Sequence, residues 1–315
     1  MFPTNAAFDF SKGAEGVEYV PYDPLQRVPA EHRDAAVLVA WLNPPAQLAQ
    51  AAADLGGVKL VQGLMAGVNT LVTAGFGAGV TICNGRGLHD QPVAEHTVAL
   101  LLAAARRLHL MRDAQHERRW PGEFGGAQPD RDPNVFMTLD ASNVTVWGFG
   151  SIAARLAPML SALGANVTGV ATAPGTRHGH PVVGPDGLDG LLPSTDALVM
   201  ILPASEATSG ALDARRLRLL PRHAWVVNVG RGNSVNEADL VRALAAGELG
   251  GAALDVFAEE PLPAASPLWD LPNVIISPHA AGGRPLGADA FVRENVRRLV
   301  RGEQLLNVVD RVKGY

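Results

Sequence analysis

Short apolar runs alternate with amphipathic stretches along the second half of the chain. The apolar runs are Val144–Trp147, Val167–Val170, Ala197–Leu202, Trp225–Val229, Ala252–Val256 and Val274–Ile276. Helical patterns lie between them, at Ile152–Leu163, Leu188–Leu192, Ala214–Leu220 and Glu237–Ala246. Short, continuously apolar strands that are separated by helices are typical of a parallel sheet covered on both faces. The pattern from residue 143 onward therefore predicts one α/β domain with a doubly wound parallel sheet.

The first hundred residues show a looser alternation of strands and helices. It predicts strands at Ala36–Leu42, Val58–Leu64 and Val80–Cys83, with a helix at Ala46–Leu55. A long helix is predicted to begin near Pro92 and to run towards Trp120, and a last helical pattern covers residues 291–300. The 315 residues, of which 47% are hydrophobic, are enough for two domains of roughly 150 residues each.

Charge and cysteine content exclude several classes of protein. The net charge of −5 argues against a nucleic-acid binder, which needs a basic surface. Cys83 is the only cysteine, so the chain has no internal disulfide and no cysteine-based zinc site, and we predict no metal. The uncharged stretch Leu60–Gly85 is interrupted by glycines, and Met1–Lys12 contains Asp9 and no long apolar run. We therefore expect a cytoplasmic protein without a membrane segment.

A glycine-rich turn follows the first strand of the predicted doubly wound domain. The residues Gly148, Phe149, Gly150, Ser151, Ile152 and Ala153 form the pattern G-x-G-x-x-A between a strand and a helix. Glycines allow a tight turn and close approach of the backbone, and the helix N-terminus offers free N–H groups to a pyrophosphate. In this strand–turn–helix setting the pattern predicts a dinucleotide site of the Rossmann type.

No acidic residue follows the second strand of this domain. An NAD site usually has Asp or Glu about 20 residues after the turn, where it accepts a hydrogen bond from the ribose 2′-hydroxyl. Here Ala171 and Thr172 come directly after Val170, and Arg177 follows. A carboxylate would repel a 2′-phosphate, whereas arginine binds one well. The sequence favours NADP over NAD, although the loop could also bind NAD through backbone groups.

Three charged residues follow the ends of successive predicted strands: Arg231, Glu260 and His279. Ligands of open parallel sheets bind outside the carboxyl ends of the strands, so we expect all three side chains at one crevice. Each residue alone would be read as structural or solvated, and only their shared placement beside the dinucleotide turn points to catalysis. His96 lies in an apolar helical stretch and is predicted to be a structural histidine.

These segments closely resemble the D-isomer-specific 2-hydroxyacid dehydrogenase family. The resemblance lies in Val227–Gly232, Gly251–Pro263 and Asn273–His279, and upstream in Ala66–Asn69 and Val93–His96. It extends over nearly the whole chain. The family's pattern differs at Asn69 and Asn236, where aspartate is frequent, and after His279, where Ala280 and Ala281 lack the frequent threonine.

The resemblance implies a role for each matching position. Arg231 would bind the substrate carboxylate, His279 would act as acid and base, and Glu260 would pair with His279. Backbone N–H groups of Ala66, Gly67 and Val68 would bind the same carboxylate. The resemblance also implies cofactor contacts at positions beyond the glycine-rich turn: Leu202, Pro203, Val229, Gly230, Asp255 and Ala281.

The resemblance further implies a discontinuous domain organisation. Residues 1–103 and 284–315 would form a smaller, flavodoxin-like substrate domain, and residues 104–283 would form the Rossmann cofactor domain. The long helix would build a homodimer. We expect reversible reduction of a small 2-oxo acid to a D-2-hydroxy acid. The alternative is an NAD(P)-sensing corepressor-type protein on the same fold, but no interaction tail is appended to the motifs, which favours the enzyme.

Overall fold

The computed structural model describes residues 1–6, 8–9, 13, 16–129, 132 and 134–311. Outside this range lie Lys12, which ends the N-terminal segment Met1–Lys12, and residues 312–315 of the predicted substrate domain. The chain divides into two compact units. One consists of Met1–His89 and the segment that begins at Arg284, and the other is Asp90–Gly283.

The first unit is built on a small parallel sheet. Its elements before residue 90 are β1 (Phe2–Pro3), β2 (Pro21–Tyr22), β3 (Val37–Ala40), α1 (Pro45–Asp54), β4 (Leu60–Gly63), α2 (Asn69–Thr73) and β5 (Thr81–Cys83). Strands β3, β4 and β5 pair in parallel and in chain order, while β1 and β2 form a separate parallel pair. Leu38, Leu48 and Val61 are buried together, so α1 covers one face of this sheet.

The second unit contains the large sheet. Its elements are α3 (Asp90–Ala105), α4 (Leu108–His116), β6 (Asn143–Trp147), α5 (Ser151–Ala162), β7 (Asn166–Val170), β8 (Gly175–Arg177), β9 (His180–Val183), α6 (Leu188–Leu191), β10 (Ala197–Met200), α7 (Ala214–Leu217), β11 (Trp225–Asn228), α8 (Glu237–Ala245), β12 (Gly251–Leu254) and β13 (Val274–Ile276).

The order of the strands identifies the architecture of this unit. It is β13-β12-β11-β10-β6-β7-β9-β8, and every pair is parallel except β8 with β9. The chain starts in the middle at β6, proceeds outward to β7 and the edge hairpin of β8 and β9, and then crosses back to β10. This is the doubly wound order, with its switch point between β6 and β10. The predicted Rossmann-type α/β fold is confirmed, and all six predicted strands are present.

The hairpin β8–β9 was not predicted from the sequence. His178 and Gly179 connect its two strands, and both have positive φ, at 52° and 80°. Two-residue hairpin turns with positive φ at both positions match the twist of the flanking strands. The hairpin lies between the end of β7 and α6, and it extends the large sheet beyond β7.

The predicted long helix is two helices in the structure. It breaks at Arg107, whose φ of 52° is left-handed, so α3 ends at Ala105 and α4 begins at Leu108. Val93 and Leu101 of α3 are buried in the core of the second unit. For this reason α3 belongs with the large sheet, and the division falls after His89 rather than after residue 103.

The C-terminal helix, α9 (Ala288–Arg301), completes the first unit. Its Val292 and Val296 pack with Val39, Trp41 and Leu64 from the N-terminal segment. Asn295, fully buried on the same helix, donates a 2.6 Å hydrogen bond to Oε1 of Gln62. Two segments that are far apart in sequence therefore share one core.

Candidate active site

The glycine-rich turn connects β6 to α5 at the switch point of the sheet. Gly148 has a φ of +101°, and a Cβ at this position would lie 2.4 Å from the backbone oxygen of Ile201. Only glycine fits there, because both the conformation and the close approach exclude a side chain. Gly150 caps α5 without a side-chain hydrogen bond, and the space where its Cβ would lie is open. The turn thus leaves N–H groups and room for a pyrophosphate.

The other predicted cofactor positions around this turn lie on neighbouring strands. Backbone hydrogen bonds join the N–H of Gly148 to the oxygen of Val170, of Ile201 to Trp147, and of Val229 to Met200. The residues that follow the strand ends are therefore neighbours at one edge of the sheet: Ala171 and Thr172 after β7, Leu202 and Pro203 after β10, and Val229 and Gly230 after β11. Phe149 is buried, and its ring lies against Gly169 of β7.

Two side chains next to the turn are tied to defined partners. The hydroxyl of Ser151 donates to Oδ1 of Asp90 at 3.1 Å, and Ile152 is half-buried against the core. Arg177 of β8 donates to the backbone oxygens of Phe149 at 3.2 Å and Ala173 at 2.9 Å. These two carbonyls hold the guanidinium between the turn and the end of β7. Because a guanidinium carries five N–H donors, further donors remain for a ligand.

Arg231 begins a short 3-10 turn, Gly232–Ser234, directly after β11. Its Nη1 donates to the oxygen of Gly230 at 2.7 Å, and this hydrogen bond orients the guanidinium group. Its own carbonyl accepts hydrogen bonds from Asn228 Nδ2 at 3.1 Å and Ser234 Oγ at 2.7 Å. Burial lowers the pKa of Arg231, and the charge of Glu260 offsets part of that effect. A desolvated cation of this kind binds an anion strongly.

Glu260 and His279 form a hydrogen-bonded pair. Nδ1 of His279 lies 2.7 Å from Oε2 of Glu260, and the backbone N–H of Phe257 donates to the other oxygen, Oε1, at 2.9 Å. Both carboxylate oxygens of Glu260 thus have a donor, and the carboxylate cannot rotate away without losing one. Since Nδ1 is occupied, Nε2 is the ring nitrogen left for another partner, and the described residues provide it with no hydrogen-bond partner. The structure therefore brings together the predicted Arg231, Glu260 and His279.

The backbone of His279 has an uncommon conformation that hydrogen bonds to Asp255 stabilise. Its φ is 51°, which is left-handed and uncommon for a residue with a side chain. The N–H of His279 donates to the oxygen of Asp255 at 2.8 Å. The carboxylate of Asp255 accepts the next two N–H groups, Ala280 at 2.8 Å and Ala281 at 3.0 Å. Asp255 thus shapes the turn that presents the histidine.

Asp255 is 1% exposed, and its carboxylate has further donors. Ser277 Oγ donates at 2.6 Å, and His96 Nε2 lies 3.4 Å from the same oxygen. Burial alone would raise the pKa of Asp255, but the hydrogen bonds from His96, Ser277 and the two backbone N–H groups outweigh it and lower the pKa to about 2. The group is an anion at neutral pH.

His96 is a site-adjacent residue that the sequence did not reveal. It comes from α3, is 25% exposed, and lies 3.0 Å from Ser277 Oγ through its Nε2. The two residues are 181 positions apart, so only the folded chain shows their proximity. The available signal was the histidine itself, a polar residue within an apolar helical stretch.

The predicted carboxylate-binding backbone of Ala66, Gly67 and Val68 lies in the first unit. It follows the carboxyl end of β4 and leads into α2, with Ala66 and Gly67 exposed and Val68 buried. The side chain of Asn84 donates to the oxygen of Ala66 at 3.3 Å. The role of these N–H groups in substrate binding stays a prediction.

The described part of the chain contains no group of three or more His, Cys, Asp or Glu residues arranged to hold a metal ion. None of the helices described is long and apolar enough to span a lipid bilayer.

Comparison with known proteins gives consistent matches. Residues 98–281 match the family model for the NAD binding domain of D-isomer specific 2-hydroxyacid dehydrogenase. Glyoxylate/hydroxypyruvate reductase A of Salmonella paratyphi B is 38% identical over 180 residues, which cover 56% of this chain and 58% of that protein. The alignment thus spans little more than half of that reductase.

Solved structures match over a longer stretch. A D-isomer specific 2-hydroxyacid dehydrogenase from Xanthobacter autotrophicus Py2, in complex with NADPH and MES, is 32% identical with a TM-score of 0.76 and covers 96% of this chain and 90% of its own. An NADPH-dependent glyoxylate/hydroxypyruvate reductase from Sinorhizobium meliloti, in complex with NADP and sulfate, is 28% identical with a TM-score of 0.78, covering 97% and 94%. Because the family model matches more than half of this chain, the chain belongs to the D-isomer specific 2-hydroxyacid dehydrogenase family of NAD(P)-dependent oxidoreductases.

Proposed function

We propose that this protein reduces 2-oxo acids to D-2-hydroxy acids, with NADPH as the preferred reductant. The observation that carries the proposal is the Glu260–His279 pair, joined at 2.7 Å in the same unit as the half-buried Arg231 and the phosphate-binding turn. A carbonyl reduction needs a proton donor, an anion-binding group and a hydride donor. The first two are supplied by the chain's own side chains.

His279 would carry the proton. Glu260 accepts from Nδ1 and holds the ring in place, so that Nε2–H can donate to the developing alkoxide oxygen of the substrate. In the reverse direction the neutral Nε2 accepts the hydroxyl proton. The bound NADPH would supply the hydride to the carbonyl carbon. The proton passes from His279 to oxygen, and the substrate leaves as the hydroxy acid.

Arg231 would bind the substrate carboxylate. Its Nη1 is held by the oxygen of Gly230, and the remaining N–H groups form the planar fork that suits a carboxylate. Burial strengthens this interaction because water competes less.

The preference for NADPH rests on the surroundings of β7. No carboxylate follows Val170, and Arg177 lies next to the turn with donors to spare. The relatives from Xanthobacter and Sinorhizobium were solved with NADPH and NADP. Arg177→Ala should lower kcat/KM for NADPH by about 10-fold or more and leave kcat/KM for NADH nearly unchanged, because only the 2′-phosphate pairs with the arginine. An equal loss with both cofactors would contradict this role.

The homodimer is proposed with the segment around α4 as its contact. Leu108 of α4 is 51% exposed and Trp120, which follows that helix, is 92% exposed. Large apolar side chains in such positions often mark an interface between protein chains. Light scattering after size exclusion measures the mass directly, and a mass near 33.0 kDa would refute the dimer.

A panel of 2-oxo acids tests the activity. Glyoxylate, hydroxypyruvate and phenylpyruvate are each supplied with NADPH or NADH, and cofactor oxidation is followed together with chiral analysis of the product. We expect turnover, a D product and loss of most turnover in His279→Ala, with nearly unchanged cofactor affinity. Tight NADPH binding without turnover of any 2-oxo acid would instead favour the sensing, corepressor-type alternative.

A further inference from the structure

The turn that presents His279 is connected to helix α3 through a chain of hydrogen bonds. Asp255 is ionised, so its carboxylate can only accept. The 2.6 Å contact between Ser277 Oγ and Asp255 Oδ1 must therefore be a donation from the serine hydroxyl. The serine oxygen is left as an acceptor for its other neighbour, His96 Nε2, at 3.0 Å.

This direction fixes the protonation of His96. Its Nε2 must carry a hydrogen, which it donates to Ser277 Oγ and which also points near Asp255 Oδ1 at 3.4 Å. His96 thus donates to Ser277, and Ser277 donates to Asp255. At the far end, Asp255 receives the backbone N–H groups of Ala280 and Ala281.

We propose that His96 is a positioning residue for His279, acting through Ser277 and the carboxylate of Asp255. This inference rests on the proposed function, in which His279 transfers the proton. Asp255 is almost completely buried, and each donor it loses weakens its hold on the turn. His279 has a left-handed backbone that relaxes when this hold weakens, and Nε2 then moves relative to the substrate oxygen.

Two substitutions of His96 separate positioning from bulk. His96→Phe keeps a ring of similar size but removes the donor, whereas His96→Gln places an amide nitrogen near the original Nε2. Measured well below the unfolding temperature, kcat should fall by about 10- to 100-fold in His96→Phe, as expected when a catalytic group is misplaced. NADPH affinity should change much less, and His96→Gln should recover most of kcat.

Ser277→Ala tests the proposed route. If His96 acts through Ser277, the double variant His96→Phe/Ser277→Ala should have about the same kcat as the more impaired single variant. Independent losses that multiply in the double variant would overturn the route. Equal kcat in wild type and His96→Phe would overturn the positioning role, and so would a His96→Gln variant as impaired as His96→Phe.

His223 provides a matched control in the same unit. Its side chain is 18% exposed, and its Nε2 lies 2.7 Å from Oδ1 of Asp196. Asp196 immediately precedes β10, so this contact lies at the amino ends of the strands, whereas Asp255 follows the carboxyl end of β12. His223→Phe removes a similar histidine–aspartate contact, so it should lower thermal stability without lowering kcat. If it lowers kcat as much as His96→Phe does, the effect is general destabilisation and the inference fails.

A spectroscopic measurement separates this inference from the proposed function. In protein labelled with ¹⁵N-histidine, the ring of His96, assigned by its loss in His96→Gln, should carry its proton on Nε2 and should shift in Ser277→Ala. A bare Nε2 would overturn the donor chain whether or not the protein is active. Wild-type protein that has the expected tautomer but reduces no 2-oxo acid would instead overturn the proposed function.

Discussion

Replacing Glu260 by glutamine gives a direct measure of the pair it forms with His279. The carboxylate accepts two hydrogen bonds, from Nδ1 of His279 and from the N–H of Phe257. Glutamine has the same shape but only one oxygen, so its NH₂ group must face one of these two donors. Either the N–H of Phe257 loses its acceptor or the protonated imidazole does.

The magnitude follows from the exposure of the pair. An unsatisfied polar group costs about 1–3 kcal/mol, and because these side chains are 39% and 35% exposed, water offsets part of that cost. We take about 1–2 kcal/mol, which corresponds to a loss of about 5- to 30-fold in the rate of the reductive step. The loss should appear in kcat with a 2-oxo acid, because the reductive step needs an oriented His279 that can donate the proton from Nε2.

The assay compares Glu260→Gln with Glu259→Gln under saturating NADPH. Glu259 is the preceding residue, is exposed and has the same charge, so its replacement controls for the change in net charge. We expect Glu259→Gln to behave as wild type. A Glu260→Gln variant with wild-type kcat would refute the reasoning that both acceptors are required.

Three further predictions concern the surroundings of the site and the core. Gly232→Ala should lower both kcat and thermal stability, because its Cβ would lie 1.8 Å from the backbone oxygen of Phe257, next to the segment that carries Glu260. Asp255 has a pKa of about 2 in the folded state against an ordinary value of 3.8, so its stabilising contribution is present above about pH 4 and is lost as the pH falls towards 2. Urea unfolding should therefore show the stability difference between wild type and Asp255→Asn shrinking over that range, and a constant difference would contradict it. Cys83 is buried and its thiol pKa is raised to about 12, so a thiol reagent should label the protein only after unfolding, and rapid labelling of the native protein would contradict this.

The central strands and the three charged residues could be predicted because each depends on local sequence. Parallel strands that are buried on both faces consist almost entirely of apolar residues. β10 matches that pattern, and β6 and β11 depart from it only at Asn143, Thr145 and Asn228. Residues just past the ends of such strands are brought together by the sheet itself. The edge hairpin lacks this signal, because β8 is the exposed sequence Gly-Thr-Arg and β9 contains Pro181. Its turn, His178-Gly179, was the one local indication.

Other features depend on contacts between distant residues. No proline or glycine lies near the break at Arg107, so nothing in the local pattern marks it. The position of α3 in the second unit depends on which core its apolar side chains enter. The connection from His96 to Asp255 requires α3 and the carboxyl end of β12 to be folded against each other. No pattern within a single segment contains that information.

The discontinuity of the first unit has a consequence for the order of folding during synthesis. Its N-terminal segment leaves the ribosome first, but Val39, Trp41 and Leu64 acquire their packing partners only when Val292 and Val296 of α9 are made. Asn295, which pairs with Gln62 in the interior, arrives equally late. The second unit is one continuous stretch of chain and can fold before then. The part of the protein that is translated first is therefore the part that is finished last, and its apolar surface must be protected during the whole interval.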